Sequence, residues 1–171
     1  MSEKTMGGAT REGVKEYLQQ YQMARNSKRF LEKRHDSLMR ELKAPAPGST
    51  YRTMPATRSP ANTEGAVSVV FRLAEIEDRI EDQREAMGKA VLQVMDLIDL
   101  LPQNSIERTV VELRHIDCKK WEQICREIHM SRSRTNDYYN AALDIILSNK
   151  RARILVERYM QLQPPPADDG K

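Results

Sequence analysis

Polar side chains that can exchange several hydrogen bonds cluster in the second half of the chain. The cluster consists of Arg132, Ser133, Arg134, Asn136, Asp137, Tyr139 and Asn140. An arginine fork can donate two parallel hydrogen bonds to guanine, an asparagine amide can pair with adenine, and serine can bond bases or phosphates. These residue types at this density predict contact with the base edges of a DNA groove.

A helix has to present this cluster on one side. Ser131 is a good N-cap, so the helix is expected to begin at Arg132. The opposite face is expected to pack inward through Thr135, Tyr138, Ala142, Ile145 and Ile146. Tyr138 is therefore predicted to be buried and Tyr139 to be exposed.

A shorter helix precedes the cluster and is separated from it by a tight turn. Trp121, Ile124, Cys125 and Ile128 repeat at helical spacing, and residues 129–131 form the turn. A two-turn helix, a short turn and a longer helix follow the helix-turn-helix plan, whose second helix enters the major groove. An ordinary helical hairpin with a solvated polar face is the alternative. Phosphate contacts are expected from Lys119, Lys120, Gln123 and Ser131.

One more short helix completes the motif on its N-terminal side. Pro102 ends the preceding helix, and Asn104 or Ser105 can cap a helix with Ile106 and Val110 on its apolar stripe. The expected core of the motif is Val110, Leu113, Trp121, Ile124, Cys125, Ile128, Tyr138 and Ala142.

The stretch 101–147 resembles the promoter-reading region 4 of sigma-70-type factors. The matching residues are Leu101-Pro102, Glu107-Arg108, Val110, Glu112-Leu113-Arg114, Trp121-Glu122-Gln123-Ile124, Ser131-Arg132, Arg134 and Ala142-Leu143. The resemblance implies base or backbone contact by Arg132, Ser133, Arg134, Asn136 and Asp137, and host RNA polymerase as a further partner. His129 stands where the family usually has glycine, so a left-handed backbone is expected there. Nothing in the chain resembles the melting region of a complete sigma factor.

The rest of the chain predicts an all-α protein in which a long helical hairpin or coiled coil precedes the helix-turn-helix domain. The predicted segments are a disordered start at 1–10, a first long helix at 11–43, a flexible Pro/Ser/Thr-rich linker at 44–63, a coiled-coil helix at 64–101, the motif at 102–147, a helical extension at 148–163 and a disordered tail at 164–171. Residues 1–63 hold 12 Lys and Arg against 6 Asp and Glu, whereas residues 64–101 hold 4 against 9. The basic first helix could therefore pair with the acidic second one.

The coiled-coil prediction rests on a seven-residue repeat. One set of positions is Ala66, Leu73, Ile80, Met87, Val94 and Leu101, and the other is Val69, Ile76, Gln83, Ala90 and Leu97. Such a seam has to be covered by the first helix, by a second copy in a homodimer, or by both. This helix–linker–helix–motif layout resembles a group of bacteriophage sigma-like late transcriptional regulators, through the 25–42 helix, the 76–101 helix and the 121–143 motif.

Other function classes find little support in the sequence. His115, Cys118, Cys125 and His129 depart from the usual zinc-finger spacings, so no metal and no cofactor are predicted. No phosphate loop, nucleophile elbow or HExxH helix occurs, so catalysis is not expected. No long apolar run or basic-then-apolar leader occurs, which predicts a cytoplasmic location in a bacterial host and no membrane contact.

The hypothesis from the sequence is a sequence-specific, DNA-binding transcription regulator, a phage late-gene activator. Two alternatives remain open at this point. One is the small, DNA-recognising subunit of a phage packaging machine, and the other is a coiled-coil interaction protein that does not bind DNA.

Overall fold

Six helices make up the part of the chain that the computed structural model describes, which is residues 9–43 and 61–162. They are α1 (Arg11–Lys43), α2 (Ala61–Ile98), α3 (Ile106–His115), α4 (Trp121–Glu127), α5 (Arg132–Ser148) and α6 (Lys150–Leu162). No β-strand occurs within these ranges, and the predicted all-α class is confirmed. The predictions for residues 1–8, 44–60 and 163–171 lie outside the described residues. Residues 61–63, assigned to the linker, belong to α2.

The chain divides into two compact units, and α1 and α2 each contribute to both. The motif unit comprises residues 1–23 and 88–171, and the hairpin unit comprises residues 24–87. Each unit has its own buried cluster of apolar side chains.

The motif unit begins with a capped helix that fits closely against α6. The Thr10 hydroxyl accepts a hydrogen bond from the Gly13 amide at 3.2 Å, which starts α1. A Cβ on Gly13 would lie 3.1 Å from Val156 Cγ1, so the missing side chain lets α6 approach α1. Val14 and Leu18 on the same helix are fully buried in the core of this unit.

The predicted seam of α2 forms part of that core. Val94, Leu97 and Leu101 are buried together with α1 residues such as Leu18. Helix α2 ends at Ile98 rather than at Leu101. The residue before a proline is disfavoured in the helical region, and Leu101 precedes Pro102. A turn at 99–101 still directs the Leu101 side chain into the core, where it is 2% exposed.

Arg108 of α3 forms an ion pair with the residue that directly follows α2. Its guanidinium contacts Asp99 and Glu112, each at 2.7 Å. The Ser105 hydroxyl accepts from the Arg108 amide at 3.1 Å, so Ser105, one of the two predicted caps, caps α3. Val110 and Leu113 are buried as expected.

In the hairpin unit, α1 itself covers the seam of α2. Leu38 is buried with Val69 and Leu73. His35 Nε2 lies 3.1 Å from Glu77 Oε1. His35 precedes Leu38 in α1 whereas Glu77 follows Leu73 in α2, so the two helix segments run antiparallel. Every seam residue whose side chain is described is buried or half-buried, including the polar Gln83. Ala66 lies outside the described side chains.

Candidate nucleic-acid interface

Helices α4 and α5 and the turn between them follow the helix-turn-helix order predicted from the sequence. Four residues, 128–131, separate the end of α4 from the start of α5. His129 lies in the left-handed region with φ 54, as expected for a position at which glycine is common. The Met130 amide donates to the Cys125 carbonyl at 3.0 Å and closes the turn.

The start of α5 is held by a chain of short polar contacts. The Ser131 hydroxyl accepts from the Arg134 amide at 3.3 Å, which confirms it as the N-cap. Thr135 Oγ1 donates to the Ser131 carbonyl at 2.9 Å and lies 3.4 Å from Cys125 Sγ. Thr135 is fully buried, so it attaches the first turn of α5 to α4 from the inside.

The opposite side of that first turn is open to solvent. The exposed residues are Arg132, Ser133, Arg134, Asn136 and Asp137. Asn140, one turn further along, is half-buried. Five of the seven predicted base-contacting side chains therefore project together from the N-terminal end of α5. They include two guanidinium groups, one amide and one carboxylate.

Trp121 lies between the core and two arginines, the exposed Arg132 and the half-buried Arg114. The Arg132 guanidinium carbon lies 4.7 Å from the centroid of the Trp121 ring, and that of Arg114 lies 5.2 Å from it. A guanidinium over an indole face is attracted by the negative ring face. The edge of the same indole meets Tyr139 at a centroid distance of 5.1 Å. Trp121 is thus half-buried against the core and restrains Arg132 at the first position of α5.

Tyr139 is more deeply buried than Tyr138, and the prediction that it contacts bases is wrong. Tyr139 is 5% exposed, and its hydroxyl oxygen lies 2.9 Å from His115 Nε2. Burial raises the pKa of Tyr139 to about 12. Tyr138, predicted to be a core residue, is half-buried at the edge of the cluster. A buried phenol bonded to a buried imidazole cannot reach a DNA groove.

His115 is the buried partner of Tyr139, and the sequence did not suggest this pairing. It is 1% exposed at the end of α3, and its ring stacks on Tyr139 with the planes 22° apart. Burial, followed by the nearby charge of Arg114, lowers the pKa of His115 to about 3. The imidazole is therefore neutral at physiological pH. The alternation of polar and apolar residues in α3 carried no signal for a buried histidine.

The four predicted phosphate-contacting residues differ in how available they are. Lys120 is exposed, and its backbone amide donates a hydrogen bond to Gln123 Oε1 at 3.1 Å. Ser131 is exposed and caps α5. Lys119 instead pairs with Glu127 at 2.7 Å, and that contact is the main cause of its raised pKa. Lys120 is thus better placed than Lys119 to meet an anion.

The other predicted core residues of the motif are buried or half-buried. Val110, Leu113, Ile124 and Ala142 are buried, whereas Trp121, Cys125 and Ile128 are half-buried. The buried residues Val111, Leu143 and Ile146 complete this core. At its surface, Arg11 of α1 binds Asp144 of α5 through two hydrogen bonds of 2.6 and 2.5 Å.

The cysteines and histidines do not assemble into a metal site. Within residues 9–43 and 61–162, no three side chains of His, Cys, Asp or Glu converge in a way that could hold a metal ion. Cys118 and Cys125 are half-buried free thiols. In the same ranges, no helix combines the length and apolar character needed to cross a bilayer.

Comparison with models of protein families, with curated proteins and with solved structures gave no match.

Proposed function

We propose that this protein is a sequence-specific DNA-binding transcription regulator, a phage late-gene activator, that reads duplex DNA with α5. The observation that carries the proposal is the exposed group at the N-terminal end of α5, where Arg132, Arg134 and Asn136 project away from a capped and buried first turn. Helix-turn-helix proteins contact base edges with the N-terminal residues of their second helix.

Charge and rigidity both favour this reading. Lys120, Arg126, Arg132 and Arg134 are exposed on or beside α4 and α5. Cationic side chains of this kind can displace counterions from the DNA backbone, which is the main source of sequence-independent affinity. The Trp121 stack and the Ser131 cap hold the start of α5 before any ligand arrives, which lowers the ordering cost of binding.

The residues divide into two roles in this proposal. Arg134 and Asn136 contact base edges, and Lys120 contacts the phosphate backbone together with the hydroxyl of Ser131. Arg134→Ala should cost about 1–3 kcal/mol on the preferred sequence and relax specificity, because a bidentate contact with one base is lost. Lys120→Ala should weaken binding to all sequences alike. It should also reduce the slope of log affinity against log salt concentration by about 1.

The test is selection of a site from a random duplex pool, followed by affinity measurements for each variant at two salt concentrations. Arg158→Ala, which removes an exposed arginine on α6, is the matched control and should bind like the wild type. Failure to enrich any site, with an affinity independent of salt, would refute DNA reading and favour an interaction protein. Equal losses for Arg134→Ala on selected and random DNA would refute its role as a base reader.

We expect the protein to activate transcription from the DNA site that it binds. The resemblance to region 4, rather than the geometry of α4 and α5, supports host RNA polymerase as the second partner. A reporter gene placed behind the selected site should be transcribed more strongly when the protein is present. Unchanged transcription in the presence of confirmed site binding would favour the packaging-subunit alternative.

A further inference from the structure

The seam of α2 is not available to a second copy of the chain in the hairpin unit. Val69 and Leu73 are already buried against Leu38 of α1. The bond between His35 and Glu77 reinforces the same pairing. A partner that used this seam would first have to displace α1.

A second apolar stripe lies on another side of α2 and is exposed in the part of the chain that the structure describes. It consists of Val67, Val70, Phe71 and Ala74, all of which are exposed. Phe71 is 72% exposed, and the two valines are about half exposed. Spacings of three, one and three residues place these side chains on one helix face, turned away from Val69 and Leu73. A contiguous apolar patch of this kind is a candidate interaction site, because apolar surface gains free energy when it is removed from water.

The stripe is complementary to itself. Its spacing reads the same in both directions, with its centre between Val70 and Phe71. A second copy related by a two-fold axis and running antiparallel therefore lays Val67 against Ala74 of the second copy and Val70 against Phe71 of the second copy. Two-fold contacts of this type close on themselves and bury the same patch on both chains.

The charges of the hairpin unit favour the antiparallel direction. The acidic stretch of α2, from Glu75 to Glu85, lies entirely on the C-terminal side of the stripe. A parallel pair would place one acidic stretch beside the other, and like charges at close range are destabilising. The antiparallel pair separates them. It also moves each acidic stretch towards the basic end of α1 in the other copy, where Arg40 and Lys43 are exposed.

We infer that the Val67–Ala74 stripe docks a second copy of this chain as an antiparallel α2–α2 pair. Each copy contributes on the order of 300 Å² of apolar surface through its two valines and one phenylalanine. This is well below the roughly 800 Å² per partner of a standard stable interface, so the dimer is a weak and transient one that is favoured by high protein concentration. The inference does not depend on DNA binding.

Sedimentation equilibrium of the full chain over a range of concentrations tests the stripe. The wild type should show a monomer–dimer equilibrium, and Phe71→Glu should weaken it at least tenfold. Phe30→Glu is the matched control, because Phe30 is 64% exposed in the same unit but lies beside Arg34 and Arg79, on a groove that the stripe does not border. This variant should dimerise like the wild type. Circular dichroism should show equal helix content for all three proteins.

Several results would overturn the inference. A wild type that is monomeric at every concentration would overturn it. The partner of the stripe would then have to be sought in residues 44–60 or in an unrelated protein. Dimerisation of Phe71→Glu at wild-type strength, or an equal loss in Phe30→Glu, would also overturn it. If Phe71→Glu loses helix content, Val70→Asp replaces it with the same expected loss.

Cysteine cross-linking tests the direction of the pair. In a background with Cys118 and Cys125 changed to alanine, Val67→Cys mixed with Ala74→Cys should form a disulfide faster than either variant alone. Faster cross-linking of Val67→Cys with itself would show a parallel pair and overturn the antiparallel arrangement.

Discussion

The burial of His115 beside Tyr139 makes stability depend on pH. The pKa of the His115 ring is lowered to about 3, chiefly by burial. The unfolded chain binds a proton at this imidazole below about pH 6.5, whereas the folded chain stays neutral until about pH 3. The unfolded state therefore holds more protons in this window, and stability falls as the pH decreases.

The free energy of unfolding should decrease between pH 7 and pH 5.5, with a slope that approaches about 1.4 kcal/mol per pH unit at the acid end. His115→Asn should flatten this dependence, because the amide does not titrate. Urea denaturation of both proteins at pH 7.0, 6.0 and 5.5 measures the difference. Parallel pH dependences for wild type and variant would contradict the assignment to His115.

The adjacent tyrosines show where sequence reasoning stops at the scale of single residues. Tyr138 and Tyr139 point about 100° apart on α5, and either could border the apolar face of the helix. Their environment is decided by Trp121 and His115, which come from α4 and α3. A pattern within one helix contains no information about these partners. The exposure of Arg132, Arg134, Asn136 and Asp137 was predictable, because charged and amide side chains behind an N-cap remain in water unless a partner is found for them.

At the scale of the element, the N-cap of α5 should account for part of the stability of the motif. Ser131→Ala removes the hydroxyl that accepts from the Arg134 amide and should cost about 1 kcal/mol. Ser133→Ala is the matched control, since Ser133 is exposed two residues later and caps no helix. Urea denaturation should find it within about 0.5 kcal/mol of the wild type. Equal destabilisation by both changes would show that the cap contributes nothing specific.

Helix boundaries were predicted well where a local signal exists and less well where the tertiary structure decides. The predicted and observed bounds of α1 agree at Arg11 and Lys43, because a cap precedes the helix and prolines follow it. Helix α2 starts at Ala61, directly after Pro60, although the small and polar residues there suggested linker. It ends at Ile98 because the chain turns at residues 99–101 and places the Leu101 side chain in the core. The repeat identified the seam but could not tell that α1 would cover it.

At the scale of the whole molecule, the two units should differ in local stability. The core of the motif unit contains seventeen fully or nearly buried side chains, whereas that of the hairpin unit contains Leu38, Val69 and Leu73. Opening a segment costs less free energy where fewer apolar groups become exposed. Amide hydrogens of residues 24–43 and 65–87 should therefore exchange faster than those of residues 106–148.

Hydrogen–deuterium exchange followed by mass spectrometry measures this directly. Exchange around Val70 should also slow as the protein concentration increases, because dimerisation covers that side of α2. The Phe71→Glu variant provides the control, since its exchange should not depend on concentration. Equal protection of both units in the monomer would contradict the difference in local stability.

Trp121 has an optical consequence. It is the sole tryptophan of the chain, and Arg114, Arg132 and Tyr139 surround its ring. Indole emission responds to the charges and the water around it. When the protein is excited at wavelengths that its six tyrosines do not absorb, the emitted light comes from one known position beside the first residue of α5. Any ligand that draws the Arg132 guanidinium away from the ring alters that emission. The protein thus carries its own fluorescent probe at the surface proposed to read DNA.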